Sequence, residues 1–176
     1  MPRLIKRGVI IDDVYAVLRE ARSLADVPEA TQVLVPLTLW TAARAVLIAR
    51  GDAVVWLAPA DDPGALAADL KFLPVIAIDF PKFTDGRGYS IARLLRDRYD
   101  YRGELRAIGD VQHDQLYYLR EVGFDAFALR DDKDAEDALR GFRDFRDGYQ
   151  VTAIRTPWFR RHAAQTPPGD AWGRRE

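Results

Sequence analysis

From about residue 32 onward, apolar residues follow two alternating rhythms: short unbroken runs, then stretches where they recur every three or four positions. The short runs QVLVPL, AVVWLA, PVIAIDF, ELRAIG, DAFAL and YQVTAI predict six strands. Between them, LWTAARAVLIAR carries Leu39, Trp40, Ala43, Val46 and Leu47 at helical spacing and is stopped by Gly51. Asp62-Pro63 opens a short helix with Leu66, Ala67 and Leu70 on one face. Ile91, Leu94, Leu95 and Tyr99 form the stripe of a helix capped by Ser90, and Asp110 caps another that bears Val111, Leu116 and Leu119 and ends at Gly123. DAEDALRGFRDF predicts a further helix with Ala135, Leu139 and Phe142 inward.

Ahead of this beat, MPRLIKRGVIIDD holds two apolar stretches, Leu4 to Ile5 and Val9 to Ile11, split by Lys6, Arg7 and Gly8. That pattern predicts an N-terminal β-hairpin. Val14, Tyr15, Val17 and Leu18 allow a short helix closed by Pro28. After about Thr156 the periodicity stops and the chain becomes rich in Pro, Gly and charge. We therefore expect one domain over residues 1–155 and a tail over 156–176, either poorly ordered or docking through Trp158 and Trp172.

Strands alternating with helices imply parallel pairing through right-handed crossovers, hence an α/β fold of βα repeats. A partial (βα) barrel is favoured over a doubly wound open sheet because Arg106 falls inside ELRAIG. In a sheet covered on both faces that charge would need a buried partner, which in this reading is Asp79, whereas the mouth of a barrel tolerates it.

The 26 basic and 27 acidic side chains nearly cancel, so no global field draws the protein to nucleic acid or to an anionic membrane. No apolar run approaches the roughly 20 residues of a membrane span, and MPRLIKRGVI lacks the apolar core of a signal peptide, which points to a cytoplasmic protein. The chain has no cysteine and two histidines, His113 and His162. Disulfides, thiolate nucleophiles and thiolate ligation of an iron-sulfur cluster or haem are thereby excluded, and a His-rich metal site is out of reach. His113, among Gln112, Asp114 and Gln115, is expected at the surface.

Candidate chemistry gathers in FPKFTDGRGYS, residues 80 to 90. In parallel α/β folds ligands collect at the carboxyl ends of strands, and this loop follows one strand while Gly109-Asp110 follows the next. Asp79 and Asp110 are the catalytic candidates. Lys82, Asp85, Arg87, Ser90 and Arg106 are the candidates for holding a small oxyanion, helped by amides at the start of the helix near Ser90. Asp79, Asp85, Asp110 and Asp114 are weighed for Mg²⁺, but solvated or capping roles suit them better and no metal site is assigned. GRGYSI places Ile91 where a dinucleotide fingerprint needs its third glycine, and the sequence carries no Walker, zincin or nucleophile-elbow signature.

FPKFTDGRGYS, followed by ARLLRDRY, GELRAIGDV, DQL and GFDAF, resembles the bacterial family called domain of unknown function 934, over roughly residues 30 to 130. Members of that family carry the label of an oxidoreductase involved in sulfite reduction. The resemblance implies a cytosolic protein encoded beside a sulfite reductase and working in sulfate assimilation, with the reductase as partner. It brings no established active site or cofactor. Sulfite reduction needs sirohaem with an iron-sulfur cluster, whose ligands this chain lacks. The expected role is therefore an accessory protein docking on sulfite reductase and binding a small oxyanion; the alternative is an independent small-molecule oxidoreductase or other enzyme of barrel type.

Overall fold

A computed structural model describes residues 3–129 and 135–144, with side chains through Leu139. Eight strands form one sheet: β1 (Arg3–Lys6), β2 (Val9–Asp12), β3 (Ala16–Val17), β4 (Val33–Pro36), β5 (Ala53–Leu57), β6 (Val75–Phe80), β7 (Glu104–Gly109) and β8 (Ala126–Ala128). Their spatial order is β2-β1-β8-β7-β6-β5-β4-β3. Six strands thus lie side by side in chain order, each neighbouring pair parallel. A doubly wound sheet reverses direction partway; this one does not, and it curls into a half-barrel. The N-terminal hairpin is present as β1 and β2, and β1 runs antiparallel along β8.

Strand faces follow from the period of two. In β6 all six residues are buried, because Ile76, Ile78 and Phe80 face helix α2 (Arg87–Arg93) while Val75, Ala77 and Asp79 line the inner face. The helix comes close because Gly88 has no side chain: a Cβ there would sit 2.6 Å from the Phe80 ring and 3.1 Å from Ile78. Helix α1 (Leu37–Arg50) ends at Gly51 in the left-handed region, φ 71°. It is tied down by buried Asp69, which accepts from the Trp40 indole at 2.9 Å and pairs with Arg44 at 3.0 Å. Helix α3 (Leu116–Glu121) follows a 3-10 turn, and α4 is Ala135–Asp144. Among the described residues no helix is long and apolar enough to cross a membrane.

Several sequence expectations shift for identifiable reasons. Residues 14–18 are extended rather than helical, with Tyr15 and Val17 half-buried and Val14 and Ala16 more exposed, a period of two that β3 uses to pair with β4. The helix expected after Asp62 is two 3-10 turns, Pro63–Leu66 and Leu70–Phe72, so no α-helix joins β5 to β6. α1 kinks at Ala43, φ −122°, and Val46 is exposed rather than inward. Beyond Arg93 the helix widens into a π turn over Leu94–Arg98, closed by Tyr99 N–H donating to Leu94 O at 3.1 Å. The extra residue in that turn changes the helical phase, so Leu94 faces solvent while the Arg96 side chain turns inward. Ser90 is no cap: α2 begins at Arg87 after Gly86. The YQVTAI strand, the inward Phe142 and the tail with Trp158 and Trp172 lie outside the described residues or side chains.

Gly109 adopts φ 95°, and a Cβ there would lie 2.5 Å from Phe80 O and 2.6 Å from Asp79 Oδ1. Gly88→Ala and Gly109→Ala are each expected to lower stability by roughly 1–3 kcal/mol. Gly86 has φ −79° and open space around its Cβ position, so Gly86→Ala should change stability by about 0.5 kcal/mol or less. Urea denaturation of the three variants distinguishes packing glycines from a merely permissive one.

Candidate functional site

Carboxyl ends of β6 and β7 lie together, and their loops are bonded to one another. Asp110 N–H donates to Phe80 O at 2.7 Å. Phe83 N–H donates to Asp110 Oδ2 at 3.1 Å, and Gln115 Nε2 donates to Phe83 O at 2.8 Å. Asp110 therefore fastens the neighbouring loop instead of capping a helix; Gln112 precedes the 3-10 turn His113–Gln115. The Phe83 backbone is held at both its donor and its acceptor while its ring stays half exposed. Lys82 is exposed on this rim, and so are His113 and Asp114.

Arg87 is not available to an oxyanion without competition. Its Nη2 lies 2.7 Å from Asp85 Oδ2, its Nε donates to Asp85 Oδ1 at 3.0 Å, and its backbone N–H donates to the same oxygen at 3.2 Å. Asp85 thus occupies both the guanidinium fork and the start of α2. The Arg87 guanidinium holds the Asp85 carboxyl below the usual carboxylate range, and Asp85 in turn raises Arg87. Ser90 is exposed inside the helix. The rim gathers Lys82, Asp85, Arg87, Ser90 and Asp110 but leaves out Arg106.

Arg106 lies deeper, on the inner face of β7, at 3% exposure. Its partners are Asp13, 2.5 Å from Nη1, and Glu104, 2.8 Å from Nη2 and 2.9 Å from Nε, not the expected Asp79. The register explains this: Arg106 stands beside Ala77, and Asp79 stands beside Ile108 two residues further along. Asp79 instead accepts from Arg19 Nη2 at 2.8 Å, and the Arg19 guanidinium carbon lies 5.8 Å from the Trp56 ring centroid. That bond raises Arg19 above its ordinary value. Buried Asp79, half-exposed Arg19 and Trp56 form the inner part of the strand-end site.

A cavity of about 480 Å³ opens at the opposite end of the strands, lined by Lys6, Asp13, Tyr15, Val75, Glu104 and Arg106 among others. Its charges are matched: Lys6 Nζ lies 2.7 Å from Glu104 Oε2, and the Tyr15 ring packs 5.0 Å from the Arg106 guanidinium. Burial pushes Tyr15 up. In closed (βα) barrels the active site lies at the carboxyl ends of the strands, and by that analogy the functional candidate is the carboxyl rim. Sequence reasoning missed Lys6, Asp13 and Arg19, whose pairing depends on residues far along the chain. It missed Glu104 as well, although E-L-R puts Glu104 and Arg106 on one strand face and so carried a signal that could have found it. Among the described residues, no three His, Cys, Asp or Glu side chains group to hold a metal ion.

Burial alone would push Glu104 up, but its bonds to Lys6 and Arg106 outweigh that and hold its carboxyl below the ordinary value. A lowered folded-state value stabilises the fold above the unfolded value of about 4.3 and loses that contribution as the pH falls through the folded one. Glu104→Gln is expected to destabilise the protein at pH 7 by about 1–3 kcal/mol and to flatten the loss of stability below about pH 4.3. Denaturation midpoints recorded across that range check it.

The model of a family described as a bacterial protein of unknown function (DUF934) matches residues 54–159. The match takes in the whole rim with Asp110 and, on the inner face, Asp79, Glu104 and Arg106, but not Asp13 and Arg19, which pair with Arg106 and Asp79, nor Lys6, which pairs with Glu104. No curated protein and no solved structure matches the chain.

Proposed function

We propose, from the premise that the chain belongs to the bacterial family of unknown function DUF934, that it is a cytoplasmic accessory protein of assimilatory sulfite reduction. In this reading it docks on the sulfite reductase and holds a small oxyanion at the β6 and β7 strand ends. The observation that carries the accessory role is the absence of cysteine from all 176 residues. Six-electron reduction of sulfite runs on sirohaem and an iron-sulfur cluster, and reduction of activated sulfate by a protein needs a thiol. This chain has neither the cluster ligands nor the thiol, which supports a reading in which a partner carries the electrons. The sulfur assignment itself rests on the resemblance of FPKFTDGRGYS, GELRAIGDV and GFDAF to that family.

Two features support an oxyanion at the rim. Lys82 and Arg87 stand on one short loop, and Asp85 already shows how a negative group binds there, with two guanidinium bonds and one backbone amide. An incoming sulfite or sulfate would take over those donors from Asp85. A second reading, an independent enzyme of barrel type, is favoured by buried Asp79 beside Arg19 at the carboxyl end of the strands, where barrel enzymes place their catalytic groups.

Tagged protein from cells grown on sulfate is expected to enrich sulfite reductase above an unrelated control; equal recovery from both defeats the docking reading. Titration calorimetry at low ionic strength tests the anion. Sulfite or sulfate binding should weaken about ten- to a hundredfold in Arg87→Ala, the cost of one charged donor, and tighten in Asp85→Asn, which removes the internal competitor.

A further inference from the structure

The cavity at the amino ends of the strands, about 480 Å³, has the size that small organic ligands occupy, roughly 300–1,000 Å³. Its floor is made of charged groups withdrawn from solvent: Asp13, Glu104 and Arg106 are 8%, 7% and 3% exposed. Leu4, Pro74 and Val75 supply apolar wall, and Ile11 and Val14 continue it with side chains open to solvent. A few convergent polar groups between apolar walls are the usual make-up of a ligand pocket.

The hydrogen bonds show which floor atoms remain open. Arg106 gives Nε and Nη2 to Glu104 and Nη1 to Asp13, and Lys6 takes the other oxygen of Glu104. Asp13 uses one oxygen alone: Oδ1 accepts from Arg106 Nη1 and, at 3.0 Å, from the Tyr15 N–H. Among the described residues nothing donates to Asp13 Oδ2, and the Tyr15 hydroxyl bonds to none of them, while both side chains line the cavity. A buried carboxylate oxygen requires a donor.

Charge decides what kind of donor. Lys6, Asp13, Glu104 and Arg106 sum to zero, so an ammonium group on Asp13 Oδ2 would bury an unbalanced charge, and a hydroxyl would not. The mouth is different. Lys6 is committed to Glu104 and Arg102 to Asp100, but the carboxylate facing exposed Arg7, that of Asp125, lies 3.9 Å away, beyond hydrogen-bond reach. Asp12, also on the wall, stands opposite Arg3 at the far end of the hairpin from the Arg7 turn.

We propose that this cavity binds a polyhydroxylated organic anion of the size of a sugar phosphate. Its hydroxyls meet Asp13 Oδ2 and the Tyr15 hydroxyl, its C–H surface packs on Ile11 and Val14, and its anionic group faces Arg7. The site is separate from the strand-end rim and does not depend on the sulfite reading.

Titration calorimetry on the full chain with glucose 6-phosphate, ribose 5-phosphate and gluconate, and with glucose and inorganic phosphate alone, tests this. At least one of the hydroxylated anions should bind, and glucose and phosphate should each bind it at least about tenfold more weakly. Tyr15→Phe, which keeps the ring on Arg106, should weaken binding about two- to tenfold, the loss of one neutral hydrogen bond. Asn suits the positive φ of 50° at position 7, and Arg7→Asn should cost a similar factor at low ionic strength and little at high salt. Arg87→Ala should leave the affinity unchanged, which separates this site from the rim. Asp13→Asn would also strip a partner from buried Arg106, so the Tyr15 and Arg7 variants carry the test, their unchanged thermal melts showing that they fold. Heat from none of the three anions, equal affinity in wild type and Tyr15→Phe, or phosphate binding as tightly as its sugar esters would overturn the proposal; the last would mean that the cations at the mouth collect any anion. Tighter binding of glucosamine 6-phosphate than of glucose 6-phosphate would put an ammonium group on Asp13 and would also overturn it.

Discussion

A buried guanidinium in the middle of a central strand is the constraint around which the inner face is arranged. Arg106 is 3% exposed, and leaving such a charge without a partner costs about 3–5 kcal/mol. Glu104, two residues earlier on the same face, meets part of the requirement. The rest comes from Asp13, 93 positions away, and Lys6 then balances the second oxygen of Glu104. The N-terminal hairpin and the segment after it are thus held against the half-barrel by charge as well as by pairing with β8. The same segment carries Arg19 onward to Asp79, so one stretch of chain supplies a partner to both Arg106 and Asp79.

Arg96 does a comparable job outside the barrel. Its guanidinium donates to the carbonyls of Tyr101, Gly103 and Gly123 and to Asp125 Oδ2. Three connections meet there: the end of the α2 helix, the turn into β7 and the turn into β8. The π turn over Leu94–Arg98 makes this possible by rotating Arg96 toward the protein. Tyr101 completes the arrangement, its buried hydroxyl donating to Leu73 O at 3.0 Å, and burial raises it well above the ordinary tyrosine value. The strand ends are consequently supported from below, and the rim loops sit on a fixed base.

On that base the rim is itself pre-ordered. Gly109 lets the β7 chain pass close to Phe80 and Asp79, and the Phe83 backbone is pinned between Asp110 and Gln115. A loop ordered without ligand loses little entropy when one binds. Asp85 has the opposite effect on the site proposed here, since it already occupies the Arg87 guanidinium and the first amide of α2.

Much of the fold was legible in the sequence, because the strand and helix rhythms are local consequences of side-chain period. VIAIDF, ELRAIG and the helix before Gly51 are where the apolar pattern puts them, and the hairpin follows from two apolar runs around Arg7-Gly8. Sequence also determined what chemistry is closed to the chain, since a missing thiol is missing in any fold. The strand-end cluster was partly legible: placing Lys82, Asp85, Arg87 and Asp110 on one rim needs only adjacent parallel strands. Tertiary structure alone decided the pairings. Asp79 meets Arg19 and not Arg106 because it stands two residues along the strand from the position opposite Arg106, and no local pattern records it. Leu94 turns outward and Arg96 inward because a π turn shifts the phase that a 3.6-residue period assumes. Ala16–Val17 became a strand because an edge of β4 was there to receive them, and partners that lie far apart in the chain are chosen only when the chain has closed on itself.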